Sequence, residues 1–373
     1  MRILLMGDYS NYHRSLAGAL REAGHDVTVA SNGSGWMDTD RDIDVSRPYP
    51  GKAGGALLWL KLNRMASKLS GYDVVQINNP IFLNLKPHRV RAVFDRLKRN
   101  NRSVFLTAMG TDPFYVKTCT TVGGPLRYNE WMIDGSPGPL QLAQKQVMDE
   151  WLSPEMMSHC RYVYENVDGI VTALYEYHQS CLTVVGKDKV AYGGIPIDTQ
   201  SLVPVRMDGV PTCVNLFLGM HRDRKVEKGT DRILVAARRV AEKYPEKCRL
   251  TIVENRPYTE YIELMRNAHV VLDQLYSYTP ATNALLAMAY GITAVSGAEP
   301  EFYEFIGETD NRPIVNAIPD DRLLYKSLEN IVLHPEIIVD NAGKNREFVE
   351  KHNDARVVAA RFADFWNKRI GLK

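Results

Sequence analysis

The densest chemistry in the chain lies between Phe217 and Asp231, where Arg222, Arg224, Lys225 and Lys228 share one loop. The loop follows a short apolar strand pattern, Val214 to Leu218, that ends at Gly219. After Lys228-Gly229-Thr230-Asp231, apolar residues recur at helical spacing: Ile233, Leu234, Ala237, Val240, Ala241 and Tyr244. The first amides of a helix are unbonded and carry partial positive charge, and Thr230 or Asp231 is suited to cap them. With full charges from Arg222, Arg224 and Lys228 beside it, such a turn suits a polyanion, above all a pyrophosphate. The competing reading is a solvated basic loop between a strand and a helix, and the run alone leaves both standing.

Two further stretches follow apolar strand patterns in the first half. Gly7-Asp8-Tyr9-Ser10-Asn11 comes after Ile3-Leu4-Leu5-Met6, and Ala108-Met109-Gly110-Thr111-Asp112 comes after Ser103 to Thr107. In an open parallel sheet, ligands collect beyond the carboxyl ends of the strands. Gly7, Tyr9, Ser10 and Thr111 are therefore candidate contacts, and Asp112 is placed either as a general base toward a hydroxyl or as a cap on the next turn. Asp38-Thr39-Asp40 has the spacing of a metal-binding Asp-x-Asp. The residues before it, Ser31 to Met37, are glycine-rich and polar rather than an apolar strand, so a solvated loop is expected and no metal site.

The elements that must position these residues alternate strand and helix. Ile3 to Met6, a helix stopping at Gly24, and Val27 to Ala30 make a βαβ unit, hence a parallel sheet with right-handed crossover. Strands are expected at Asp73–Asn78, Ser103–Thr107 and Asp168–Ala173, then at Val214–Leu218, Arg249–Asn255, Val270–Gln274 and Ile292–Val295. Helices are expected at Val90–Asn100, Pro154–Asn166, Tyr258–Asn267, Asn283–Tyr290 and, as one amphipathic tail, Asn345–Lys373. No Gly-x-Gly-x-x-Gly follows the first strand, which argues against a dinucleotide-dependent dehydrogenase. The helix Leu57–Leu69 carries Lys61, Arg64 and Lys68 beside its apolar stripe. A membrane-surface helix and a sheet-covering helix with a snorkelling polar face both fit, and the second is preferred. Residues 113–150 read as a long irregular segment with Gly123-Gly124-Pro125 and Ser136-Pro137-Gly138-Pro139, placed by its neighbourhood on the acceptor side.

The chain has 373 residues, enough for two domains with separate cores. A net charge of +2 argues against a dedicated nucleic-acid binder. Five scattered cysteines without a Cys-x-x-Cys fit free thiols in a reducing compartment. The first residues enter a strand directly, with no signal-peptide pattern, and no apolar run approaches the roughly 20 residues of a membrane span. The expected location is the cytoplasm, with the inner membrane face as an addition.

The run ending in Lys228-Gly229 resembles the Gly-Arg…Lys-Gly signature of GT-B glycosyltransferases, in particular the retaining "glycosyl transferases group 1" family. Leu20-Arg21-Glu22-Ala23-Gly24-His25-Asp26-Val27 is similar to the first helix and second strand of that fold. Tyr192 to Asp198 resembles the segment closing its N-terminal domain, and Ala287-Met288-Ala289-Tyr290-Gly291 its donor-domain frame. The resemblance implies an α/β fold of two Rossmann-like domains with parallel sheets facing across a cleft. Residues 1–204 would form the acceptor-side domain, 205–350 the nucleotide-sugar domain, and 351–373 a helix crossing back, with 198–212 as linker. It implies glycosyl transfer from a nucleotide diphosphate sugar, a co-substrate rather than a cofactor, to a glycan, lipid-linked or other hydroxyl acceptor in surface polysaccharide or glycoconjugate synthesis. No metal, other cofactor or nucleic acid is implied, and peripheral membrane contact is an additional expectation. Catalysis would fall to Asp112, Arg224 and Lys228. The donor would meet Arg222, Gly229, Thr230, Glu254, Tyr278, Thr279, Thr282 and Asn283. The chain departs from the family at Met220, where an arginine is common, and at the Glu-x7-Glu motif, whose two positions hold Tyr278 and Leu286. That departure brings in a rival, a nucleotide-sugar-binding protein without turnover. A nucleotide-sugar epimerase of similar architecture is a further one.

Overall fold

The computed structural model describes residues 1–206 and 209–371. Met207 and Asp208 of the expected linker, and Leu372 and Lys373 of the expected tail, lie outside the described residues. In chain order the strands are β1 (Arg2–Met6), β2 (Asp26–Ser31), β3 (Ile43–Asp44), β4 (Val74–Ile77), β5 (Val104–Ala108), β6 (Met132–Ile133) and β7 (Ser136–Pro137). They continue with β8 (Gly169–Thr172), β9 (Val190–Tyr192), β10 (Val214–Met220), β11 (Cys248–Glu254), β12 (Val270–Leu272), β13 (Thr293–Ser296) and β14 (Val315–Asn316). The chain divides into two compact units. One holds Met1–Thr118, Gln146–Pro196 and Ala355–Lys373, and the other holds Cys119–Lys145 and Ile197–Asp354.

In the first unit seven strands form one parallel sheet in the order β3-β2-β1-β4-β5-β8-β9. Its central strands read as unbroken apolar runs because helices cover both faces; Ile3 to Met6 are all buried. Leu4, Met6, Ile77 and Leu106 meet Phe94 and Val163 of the covering helices in one core. The helix Tyr12–Glu22 ends as expected: Gly24 takes φ +82°, its amide donating to the Arg21 carbonyl at 2.9 Å and that of His25 to Leu20 at 3.0 Å. The last helix, Ala355–Gly371, packs on this unit, with Trp366 fully buried and its Nε1 donating to Gln76 Oε1 at 2.8 Å.

The second unit has a five-stranded parallel sheet, β11-β10-β12-β13-β14. One face packs Leu216, Leu218, Ile233, Val240 and Leu328; the other packs Phe217, Val271, Met265 and Ile292.

Three expectations are corrected. The tail is not one helix: Glu336–His352 and Ala355–Gly371 are separated at Asn353-Asp354, where the Asn353 carbonyl accepts the Ile197 amide at 2.8 Å and Asp354 accepts the Thr199 hydroxyl. The helix expected at Leu57–Leu69 begins earlier, at Gly51, and gives way after Arg64 to a 3₁₀ turn, Ala66–Leu69. The segment 113–150 is mostly ordered secondary structure, with helices Pro113–Cys119, Pro139–Ala143 and Lys145–Trp151 and an antiparallel β6–β7 hairpin. Its residues Cys119–Lys145 belong to the second unit rather than to the first as expected, with Arg127 and Tyr128 meeting Glu299 and Ile133 meeting the sheet's core there.

Candidate functional site

In the second unit, the cationic loop leaves β10 as a 3₁₀ turn, Arg222–Arg224, runs into a short helix, Lys225–Lys228, and turns at Gly229 into the helix Thr230–Lys243. Gly229 is required there twice over. Its φ is +68°, and a Cβ would lie 2.7 Å from that of Leu275. Gly229 itself is the N-cap, with no side-chain cap bond, so neither Thr230 nor Asp231 caps the helix as expected. Thr230 is buried under the turn, its hydroxyl 3.5 Å from the Lys225 carbonyl.

The cations of the loop divide their partners. Arg224 Nε meets Glu227 at 3.0 Å, and Arg222 lies 3.8 Å from Glu254 at the end of β11. Both arginines stay largely solvated, so these pairs hold them weakly. Lys228 Nζ lies 4.0 Å from Asp273 Oδ1, a carboxylate buried at the end of β12. Asp273 also accepts from Ser296 at 2.9 Å and Asn283 at 3.3 Å, and Asn283 Oδ1 accepts the Tyr261 hydroxyl at 2.7 Å. Lysine is thus anchored at the mouth of the sheet by a buried acid that the sequence reading did not single out. Beside it the helix Thr282–Ala289 begins without a side-chain cap. Two helix N-termini and three cations therefore stand at the carboxyl ends of one sheet, an arrangement that attracts phosphate oxygens.

Tyr278 does not present its hydroxyl to a sugar. It is 1% exposed, its ring stacks on Tyr128, and its hydroxyl accepts the Arg127 amide at 2.6 Å. Thr279 is likewise buried at 2% exposure. The partners Arg127 and Tyr128 come from the Cys119–Lys145 excursion. Tyr128 donates to Glu299 Oε1 at 2.7 Å, Asn316 donates to the same oxygen at 2.8 Å, and Arg127 pairs with the other oxygen and with Glu301. Burial opposes ionisation of Glu299, yet these hydrogen bonds hold its carboxyl below the ordinary value. The excursion's helix Pro139–Ala143 packs against Lys225–Lys228 and Ile133 against the sheet's core. Nothing in local sequence spacing announces these contacts; those of Arg127 and Tyr128 with Tyr278, Glu299 and Glu301 join residues 150 or more positions apart.

In the first unit, Gly7 takes φ +81°, and a Cβ there would collide with the amide of Asn78. That amide is 1% exposed, and both of its polar atoms lack a hydrogen bond among the described residues. A buried unpaired amide is a group that a ligand would satisfy. Tyr9 is 39% exposed, with its ring beside Gly110, while Ser10 is exposed at φ +51°. The carbonyls of Met109 and Thr111 accept from Asn79 at 2.8 and 3.3 Å.

Asp112 is a helix cap. Oδ1 accepts the amides of Phe114 and Tyr115 at 2.8 Å each, and Oδ2 accepts the Tyr164 hydroxyl at 2.7 Å. Of the two roles open to it in the sequence, the structure fills the cap. With both oxygens engaged in a buried site, the expected general-base assignment is withdrawn. Burial raises its pKa. Asp8, also missed, is 1% exposed and accepts the His13 amide at 2.9 Å and the Thr39 hydroxyl at 3.1 Å. Burial pushes its pKa up to about 6, against those hydrogen bonds. His13 is buried with its pKa lowered to about 4, so its ring is neutral; Nδ1 lies 2.6 Å from the Gly7 carbonyl. Among the described residues no group of three or more His, Cys, Asp or Glu is placed to hold a metal ion, and no helix is long and apolar enough to cross a membrane.

No family model matches the sequence, and no curated protein sequence matches it. Solved structures do match. Sucrose-phosphate synthase from Thermosynechococcus elongatus superposes with TM-score 0.65 at 14% identity, covering 100% of each chain. WaaG, a glycosyltransferase involved in lipopolysaccharide biosynthesis, gives TM-score 0.58 at 12% identity, with 98% of this chain and 99% of that one covered. A TarM variant from Staphylococcus aureus, in complex with fondaparinux, alpha-GlcNAc-glycerol and UDP, gives TM-score 0.55 at 9% identity. There the match takes in 84% of this chain but spans only 59% of the TarM chain. At these identities the likeness carries the fold alone: this is the GT-B fold, with two Rossmann-like units, each built on a parallel sheet.

Proposed function

We propose that this protein is a glycosyltransferase that takes its sugar from a nucleotide diphosphate donor bound in the second unit. The observation that carries the reading is the turn Arg222–Thr230, in which Lys228 sits beside two helix N-termini at the carboxyl ends of β10 and β12. When the bond from the anomeric carbon to the diphosphate breaks, negative charge grows on the departing oxygens. Lys228, Arg222 and Arg224, with the first-turn amides after Gly229, would stabilise that charge without rearranging. The oxygen of an acceptor hydroxyl, on a glycan or a lipid-linked sugar, would bond to the anomeric carbon, its proton passing to the departing diphosphate. The acceptor-side contacts proposed are Gly7, Tyr9, Ser10 and Thr111, and we add Asn78 because its buried amide is unpaired among the described residues. Glu254, Thr282 and Asn283 remain proposed donor contacts.

A second reading is favoured by one observation. Tyr278 and Leu286 occupy the positions of the two family glutamates, and Tyr278 is locked into packing rather than turned to a ligand. A protein that binds nucleotide sugar without turnover fits that. Thermal shift against UDP, GDP, ADP, TDP and their common sugars, followed by an assay of nucleotide release with and without hydroxyl acceptors, separates the two. Acceptor-dependent release from one donor supports the transferase. A melting-temperature rise with no release under any acceptor supports the binding protein, and neither signal in a well-folded sample removes both.

A further inference from the structure

Apart from both candidate sites, the helix Gly51–Arg64 turns an apolar face outward. Between Asp44 and Asp73 the chain has no Asp or Glu and five cations, Arg47, Lys52, Lys61, Arg64 and Lys68. The helix buries Gly54, Gly55, Leu58 and Leu62 against the first unit. Its opposite face carries Ala53, Ala56, Leu57 and Leu60, with Leu57 46% and Leu60 50% exposed. Tyr49, 61% exposed, stands at the helix's N-terminal end. Gly54 allows this, since a Cβ there would collide with the Tyr49 carbonyl. Leu57, Leu60 and Met65 continue into a groove of about 420 Å³ rimmed by Lys61, Arg64 and Lys68. Lys61 turns to Asp44 at 2.9 Å, while Lys52, Arg64 and Lys68 take no ion pair among the described residues.

A helix that only covers a sheet buries its leucines and turns charge to water. Here leucines lie on both faces, and the preference for a plain sheet-covering helix does not account for the outer one. Exposed apolar rows ringed by one sign of charge mark interaction surfaces. A protein partner would have to set a carboxylate against each unpaired cation, whereas a fluid anionic lipid surface supplies phosphates wherever the cations lie. Tyr49 at the rim suits the headgroup level of a bilayer. We infer that Tyr49 to Leu69 docks this chain peripherally on an anionic membrane, with Leu57 and Leu60 at the acyl boundary and Lys52, Arg64 and Lys68 on lipid phosphates. The inference is independent of the nucleotide reading.

The test is co-sedimentation of the full chain with vesicles of phosphatidylcholine alone and of phosphatidylcholine mixed equally with phosphatidylglycerol. Binding is expected to the mixed vesicles only and to weaken with salt. Lys52→Gln/Arg64→Gln/Lys68→Gln should weaken it on the order of 100-fold, from roughly fivefold per cation near an anionic surface. Leu57→Ser/Leu60→Ser should weaken it at least about tenfold. These positions are exposed, so thermal melts of both variants should match the unmodified chain. No binding to mixed vesicles, or equal binding by both variants, overturns the proposal. So does a leucine variant that abolishes a dimer seen by light scattering while leaving vesicle binding intact, which would assign the face to a second copy of the chain.

Discussion

Tyr278 and Tyr128 lie nearly parallel, ring centroids 5.1 Å apart at 29°, although 150 positions separate them in the chain. Through this pair the excursion Cys119–Lys145, which interrupts the first unit in sequence, is held on the carboxyl-end loops of the second unit's sheet. The same excursion neutralises Glu299 with Arg127 and Tyr128. Tyr278, which the sequence suggested as a contact for the donor sugar, is thus a structural anchor.

Removing that anchor should cost stability before it touches chemistry. Tyr128→Ala deletes a buried ring and one of the hydrogen bonds to Glu299, and should destabilise by about 3–5 kcal/mol. Tyr128→Phe keeps the stack and should lose about 1–2 kcal/mol. Urea denaturation of the two variants checks the order; equal losses would mean that the stack contributes little.

Asp112 gives a prediction of the opposite kind. As a cap, Asp112→Ala should destabilise by about 1–2 kcal/mol, and more if the buried Tyr164 hydroxyl is left unpaired. Asp112→Asn retains an acceptor for the Phe114 and Tyr115 amides and should keep turnover within a few fold. A general base at this position would instead show a loss of roughly 10²–10⁴ in that conservative variant.

Asp8 makes stability depend on pH. Its folded pKa, about 6, lies above the ordinary aspartate value of 3.8, so the folded chain binds the proton more tightly than the unfolded chain does. The penalty is full above about pH 6 and disappears as pH falls through the window between those values. Relative to Asp8→Asn, the unmodified protein should gain about 1 kcal/mol on going from pH 7.5 to 5, approaching about 3 kcal/mol below the unfolded value. Denaturant midpoints of both proteins at the two pH values measure it. A difference between the proteins that is unchanged with pH would contradict the buried, strained carboxylate.

Much of the fold is legible in local pattern. Continuous apolar runs such as Ile3–Met6 and Val270–Leu272 can be satisfied only by strands covered on both faces, and Gly24 marks a helix end by itself. Lys228-Gly229 is legible only as the approach to a helix, because the spacing after it does not tell that Gly229, rather than Thr230 or Asp231, takes the N-cap. What the sequence hides is long-range. Asp273 under Lys228, Glu299 under Arg127, and the unpaired Asn78 amide against Gly7 all depend on which strand ends meet. Asp112 shows a different limit: an Asp followed by Pro at a helix start reads equally as a base and as a cap until its partners are seen. The break in the tail at Asn353-Asp354 arises from pairing with Ile197 and Thr199, which helical periodicity cannot report.

The central claim is that the turn around Lys228 binds a nucleoside diphosphate, and calorimetric titration tests it most directly. UDP, GDP, ADP and TDP would be titrated into the unmodified protein and into an Arg224→Ala/Lys228→Ala variant whose melt shows it folded. The account predicts saturable binding of at least one nucleotide, weakened in the variant by roughly 10–100-fold, the loss expected when charge-assisted hydrogen bonds to phosphate are removed. Undiminished affinity in the variant, or no binding of any nucleotide to the unmodified protein, would contradict it.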